Sequence, residues 1–185
     1  MREVFLETER LVLRRFTADD VDLLAELHGD PEVMRYVTGR ATPRERIERE
    51  ILPMYLRWHE RSPHFGYFAA EEKATGEFVG WFHLYPGDDD PPGHVELGYR
   101  LRRAAWGKGY AAEGARGLIE KAFAEMGVER VYAQTMAVNV ASRRVLEKAG
   151  MRFVRHFHAD WPVKLEGDEH GDVEYEATPA EGEAP

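Results

Sequence analysis

Between positions 106 and 114 the chain reads Trp106-Gly107-Lys108-Gly109-Tyr110-Ala111-Ala112-Glu113-Gly114. Two glycines flank a lysine, and a helical pattern follows at once. Glycine lets the backbone curl until several N–H groups point at one spot. The helix behind it adds its own unpaired N–H groups and the positive end of its dipole. Such a turn is an anion site, and a pyrophosphate fits it. It is not a P-loop, because Gly109 stands where a Ser or Thr would follow the lysine. It is not a dinucleotide fingerprint either: the third glycine is missing and the preceding strands read as antiparallel.

The elements that must position this turn can be read from the pattern. Leu11-Val12-Leu13 is a short strand. Thr17 to Asp20 is a cap with early acids, followed by the helical spacing Val21, Leu24, Leu27, and Asp30-Pro31 ends that helix. Thr42-Pro43-Arg44-Glu45 has the form of a capping box with proline at the first helical position. A second helix then runs through Ile47, Ile51, Tyr55 and Trp58, with a kink or break predicted at Pro53. Tyr67–Ala70 and Phe78–Tyr85 form a hairpin around Lys73–Gly76. Pro86–Gly93 is a loop, and His94–Leu101 is the next strand. After the glycine turn, Ala111, Ala115, Leu118, Ile119, Ala122, Phe123 and Met126 make one buried helical stripe. A strand at Val131–Thr135, a helix from Val140 closed by Gly150, a strand at Met151–Phe157 and a last strand at Val173–Glu176 complete the order. The pattern predicts a mixed α/β sheet with the glycine turn between a strand and its helix. Residues 1–177 read as one domain, and 178–185 as a flexible acidic tail.

Composition narrows the function classes. The chain has 185 residues, room for one full core. It carries 34 acidic and 25 basic side chains, a net charge of −9. That disfavours wrapping a nucleic-acid backbone and mildly favours a cationic substrate. No apolar run approaches the ~20 residues of a membrane span, and the first residues are charged rather than signal-like. With no cysteine, disulfides, thiolate metal sites and a cysteine nucleophile are excluded, which fits a cytoplasmic protein. Asp88-Asp89-Asp90 lacks the ligand spacing of a calcium loop, and no metal is expected.

Two further segments flank the turn. Upstream is Val95-Glu96-Leu97-Gly98-Tyr99-Arg100-Leu101, and downstream is Asn139-Val140-Ala141-Ser142-Arg143-Arg144-Val145-Leu146-Glu147-Lys148-Ala149-Gly150-Met151. In this order and spacing the three segments resemble the GNAT superfamily of acyl-CoA-dependent N-acetyltransferases, and within it the RimJ/RimL-like branch, whose named members acetylate ribosomal-protein N-termini. The likeness runs from about Leu11 to Phe157. It implies a mostly antiparallel twisted sheet flanked by helices, with acetyl-CoA as cosubstrate at splayed central strands.

Carried over by position, the resemblance implies a pyrophosphate loop at Ala104, Ala105, Trp106, Gly107, Lys108 and Gly109, with Tyr110 opening the helix. Many members have Gln or Arg where this chain has Ala104, but the loop acts mainly through backbone N–H groups. The pantetheine arm is expected to pair along Leu97, Gly98, Tyr99, Arg100 and Leu101, and a glycine inside a strand often marks a bulge or a close backbone approach. Asn139 matches the family's asparagine, which bonds pantetheine or nearby backbone. The tyrosine that protonates the leaving thiolate in many members is replaced by Leu146. Ser142, one turn earlier, is then a proton donor or a hydrogen-bond donor to the sulfur, or a serine bonding locally near a helix start.

The implied reaction is attack of a primary amine on the thioester. It requires proximity and removal of a proton from the ammonium. Glu96 is the first candidate base, on the face opposite Val95 and Leu97. His83 is the alternative, with an ordinary pKa suited to the task. Arg102, Arg103, Lys108, Arg143 and Arg144 are candidate phosphate contacts, and Trp58, Trp81, Trp161 and Tyr36 candidate lining of an acceptor pocket. The acceptor is open between a protein N-terminus and a small amine, and the oligomer between monomer and homodimer. A non-catalytic acyl-CoA sensor on the same fold is the competing reading.

Overall fold

The structure is a computed structural model, which describes residues 2–180. Its strands are β1 Val4–Glu7, β2 Leu11–Arg15, β3 Gly66–Glu72, β4 Phe78–Tyr85, β5 His94–Leu101, β6 Arg130–Met136, β7 Arg152–Phe157 and β8 Asp172–Ala177. They form a single sheet in the order β1-β2-β3-β4-β5-β6-β8-β7. Every pairing is antiparallel except β5 with β6. Parallel neighbours need a crossover, and α4, Tyr110–Glu125, supplies it. α5, Val140–Lys148, packs beside α4 between β6 and β7.

Both faces of the centre of the sheet are covered, which is why β4 reads as a nearly continuous apolar run. On one face Phe82, Leu84, Val95 and Leu97 pack under Ala115, Leu118 and Ala122 of α4. On the other, Tyr67 and Trp81 meet Leu24 and Leu27 of α1, Val21–His28, and Tyr55 of α3, Leu52–Arg61.

Local chemistry departs from the sequence pattern in four places. The Thr42/Glu45 capping box is not made. Helix α2, Arg44–Arg46, starts one residue later, the Thr42 amide donates to the His28 carbonyl at 2.8 Å, and Glu45 pairs with Arg49. Pro53 does not break the helix. A π-turn at Ile47–Ile51 precedes it, and Pro53 falls in the first turn of α3, where its missing N–H is harmless. Strand β1 has no counterpart in the predicted elements; its four residues are three apolar side chains and a glutamate, too short to show alternation. The Asp20 cap is also half of a buried ion pair. Arg14 donates to its two oxygens at 2.8 and 3.0 Å, and these bonds together with that from the Thr17 amide hold Asp20 below the usual carboxylate range, against the effect of burial. Of the expected tail, Thr178–Ala180 have no regular structure and 181–185 lie outside the described residues.

Candidate active site

The parallel pair opens. β5 and β6 are matched only from His94–Glu96 to Arg130–Tyr132. Beyond Glu96 the strands separate, so the β5 edge from Leu97 to Leu101 turns toward a gap and lacks a partner on that side. This gap is part of a cleft of about 680 Å³ lined by Glu96, Gly98, Arg100, Gly107, Asn139 and Ser142, among others. Ala104 and Lys108 are exposed and are not among the lining residues.

The turn before α4 has the expected form. Gly107 and Gly109 are left-handed, with φ of +73° and +82°, and a Cβ on Gly107 would point into open space. The amides of Gly107 to Gly109 have no backbone acceptor, and Tyr110 to Ala112 open a helix with no carbonyl one turn behind them. A run of unsatisfied N–H donors at a helix start fits a pyrophosphate. Arg10 braces the turn. It donates through Nη1 to the Lys108 carbonyl at 2.8 Å, and through Nε to Glu113 at 2.7 Å. The Trp106 indole donates to the Leu101 carbonyl at 2.8 Å, and the Tyr110 hydroxyl donates to Glu72. The sequence pattern did not single out Arg10 or Glu72, since one comes from the bend before β2 and the other from β3, both distant in the chain. Arg102 and Arg103 are engaged by Glu77 and Asp30 at 2.6 Å each, and Arg143 by the Tyr175 hydroxyl and the Ala137 carbonyl. None of these three is free in the way a phosphate contact was expected to be.

Gly98 is required by a side chain. It pairs opposite His83, and a Cβ on it would lie 2.2 Å from the imidazole. The close approach anticipated at this glycine is that of the His83 ring, which stacks against Trp81 and Tyr85. Both ring nitrogens are buried without hydrogen-bond partners. Burial, with Arg100 nearby, pushes the His83 pKa down to about 3. The ring is therefore neutral, and its 3.8 Å separation from Glu96 is too long for a hydrogen bond.

Glu96 lies on the same face as Gly98, opposite Tyr85 and beside Tyr132, where the strands begin to part. Its carboxylate is held up at about 7, first by burial and then by repulsion from Asp90 and Glu174. Asp90 is fixed by the Gly87 amide and the Tyr132 hydroxyl, which gives the acidic loop a local role. Of the candidate aromatics, Trp81 and Tyr36 line the cleft. Trp58 stacks on Tyr85, and Trp161 is bonded to Asp172 outside the cleft.

On the other face, Asn139 caps α5 by accepting from the Ser142 amide at 3.2 Å. Ser142 Oγ lies 2.9 Å from the Tyr99 hydroxyl, which also donates to the Ser142 carbonyl at 3.1 Å. Leu146 is buried. Tyr99 was expected only to lend its backbone; strand parity places its ring on the α5 side, where it joins the serine.

A sheet that opens at the parallel pair β5–β6, beside a helix start with unsatisfied amides, has room for an extended cofactor that carries an anionic group. That shape fits an acyl-coenzyme A-dependent transferase. Residues 10–152 match the Acetyltransferase (GNAT) domain, and the chain belongs to that family. It is 34% identical to FsC-acetyl coenzyme A-N(2)-transacetylase of Aspergillus fumigatus, over 94% of this chain and 75% of that protein. The fold is shared with RimL, ribosomal L7/L12 alpha-N-protein acetyltransferase, in complex with coenzyme A. That match has a TM-score of 0.79 at 17% identity, over 95% of this chain and 98% of that one. Aminoglycoside acetyltransferase AAC(6')-Ib, also solved with coenzyme A, gives a TM-score of 0.71 at 21% identity, over 91% and 94%. The protein is an acetyltransferase with acetyl-CoA as its cosubstrate. No described helix is long and apolar enough to cross a membrane.

Proposed function

We propose that the protein transfers acetyl from acetyl-CoA to a primary amine within a ternary complex, with Glu96 as the base. The observation that carries this is the position of Glu96 at the point where β5 and β6 part, with a pKa near 7. A base works best when its pKa lies near the operating pH. His83, at about 3, holds almost no proton at neutral pH; its ring packs over Gly98 and shapes the wall. Acetyl-CoA brings the activated acyl group. The turn from Gly107 to Tyr110 holds its phosphates through N–H groups, and the free edge from Leu97 to Leu101 offers hydrogen bonds to the pantetheine arm.

The Tyr99–Ser142 pair lies on the α5 side, near the place of the family's missing tyrosine. Burial pushes Tyr99 up to about 12, well above an ordinary thiol near 8.5. It is therefore a poor proton source for a thiolate and a good hydrogen-bond donor. Ser142, oriented by Tyr99 and by the Asn139 cap, stabilises the departing sulfur by donation rather than by full proton transfer.

The acceptor is a protein N-terminus or a small amine. The RimJ/RimL-like segments support membership of that branch, and the absence of cysteine supports a cytoplasmic location. Residues 1–177 act as one acetyltransferase domain. The test is incubation with isotope-labelled acetyl-CoA and panels of amines and N-terminal peptides, read by mass spectrometry. Label on an amine nitrogen is expected. Acetyl-CoA binding with no coenzyme A release above background for any amine would refute the reading.

A further inference from the structure

The cleft holds a partly buried charge that no carboxylate balances. Arg100 is two pleats beyond Glu96 on the same face of β5. Its guanidinium lies 4.8 Å over the Trp81 ring, and its Nη1 is 3.2 Å from His28 Nε2. The Trp81 indole donates to the same nitrogen at 3.1 Å. Indole and guanidinium N–H groups only donate, so His28 Nε2 is an acceptor and its proton sits on Nδ1. Burial and the Arg100 charge hold the His28 pKa at about 3. The imidazole is neutral and leaves the arginine charge unbalanced.

No described ion pair includes Arg100. The contrast is Arg14, which is buried and met by Asp20 and Glu71. The other groups that face Arg100 are the phenols of Tyr55 from α3 and Tyr67 from β3, together with the neutral His83. Glu32 and Arg35 stand at the mouth and are exposed. A guanidinium withdrawn from water without an anion is costly. Its remaining N–H groups are not sealed by protein and face the cleft.

We propose that Arg100, stacked on Trp81, is a subsite for a carboxylate of the acceptor, so that the substrate is an amine that also carries an acid group. The proposal rests on the amine-acceptor reading above. A planar guanidinium fork matches a carboxylate in a two-point contact. Glu96 and Arg100 are four residues apart, about 13 Å along the strand at ~3.3 Å per residue. Amine and carboxylate must therefore be several bonds apart, as in an ω-amino acid or a short peptide rather than an α-amino acid.

The test compares pairs of amines differing only at the acid: ω-amino acids and dipeptides against their carboxamides. Steady-state coenzyme A release is measured for the wild type, Arg100→Gln and Arg100→Lys, with binding of each amine to the coenzyme A-loaded enzyme read by thermal shift. The wild type is expected to prefer the acids about 10- to 100-fold in kcat/KM, the range of a charged hydrogen bond. The ratio falls to near one in Arg100→Gln and is partly kept in Arg100→Lys. Equal use of acids and amides by the wild type overturns the proposal, even if a variant fails to fold. A preference retained in Arg100→Gln overturns it too. So does a rise in the acetyl-CoA KM matching the lost preference, which would assign the anion to the cofactor's phosphates. Turnover of neutral amines alone would leave the acetyltransferase reading standing and refute this one. If no amine is acetylated, the thermal shift still decides, and equal shifts for acid and amide refute the subsite.

Discussion

Replacing Glu96 by Gln tests the base and its environment in one variant. The structure raises this carboxyl from 4.5 to about 7, so the folded protein holds the Glu96 proton more tightly than the unfolded chain does. Stability is lost as pH rises from about 4.5 to 7, and above 7 the full cost of a buried charge beside Asp90 and Glu174 is present. That elevation corresponds to about 3 kcal/mol at ~1.4 kcal/mol per pH unit. The side chain is 31% exposed, and solvent screening lowers the figure to on the order of 1–2 kcal/mol. Gln keeps the shape and removes the charge. Glu96→Gln is expected to match the wild type in Tm at pH 4 and to exceed it at pH 8.5. The excess is about 2–8 °C, at 2–4 °C per kcal/mol for a chain of this size. In the same variant kcat falls about 100- to 10,000-fold, while acetyl-CoA affinity stays close to that of the wild type. The wild-type kcat/KM rises with pH through a midpoint near 7, and the variant loses that limb. Scanning calorimetry across pH and a pH–rate profile read both effects. An unchanged acid limb in Glu96→Gln would rule out Glu96 as the base. A Tm difference that is the same at pH 4 and pH 8.5 would refute the burial argument.

Two further expectations concern the cofactor and the leaving group. Gly107→Glu or Gly109→Glu forces a side chain onto left-handed backbone and puts a carboxylate at the amide cradle, so acetyl-CoA binding by calorimetry should be lost; normal affinity in either variant would refute the loop assignment. Ser142→Ala removes the donor to the sulfur, and kcat should fall about 10- to 100-fold with little change in the acetyl-CoA KM, one hydrogen bond to a developing charge being worth that much. Tyr99→Phe should give a smaller fall, because it only orients the serine. A larger loss in Tyr99→Phe than in Ser142→Ala would reverse the two roles.

Much of the scaffold was legible because it rests on local rules. β4 and β5 begin and end where the apolar pattern does, and α4 begins directly behind Gly109. The misses are places where a local backbone adjustment or a non-local partner intervened. The π-turn before Pro53 absorbs the missing N–H without breaking the helix. Thr42 lies buried with its amide bonded to the end of α1. Gly98 carries a strong signal of close approach, yet only the β4–β5 register shows that the approaching group is His83. The arginines after β5 resemble phosphate ligands in sequence, and Glu77 and Asp30, both far away in the chain, occupy two of them.

By itself the sequence determined the donor half of the chemistry. A glycine turn that opens a helix makes an anion cradle from backbone alone, and a chain without cysteine cannot form a cysteinyl intermediate. Strand parity also set Glu96 opposite Val95 and Leu97. Tertiary structure decided what those side chains are able to do. The Glu96 carboxyl is held near neutrality first by burial and then by Asp90 from a loop and Glu174 from β8. His83 becomes neutral wall because it is buried beside Arg100. Tyr99 meets Ser142 across 43 positions of chain, and Arg100 faces the cleft without a carboxylate. Proton affinity and charge balance depend on burial and through-space distance, and the order in which strands assemble sets both.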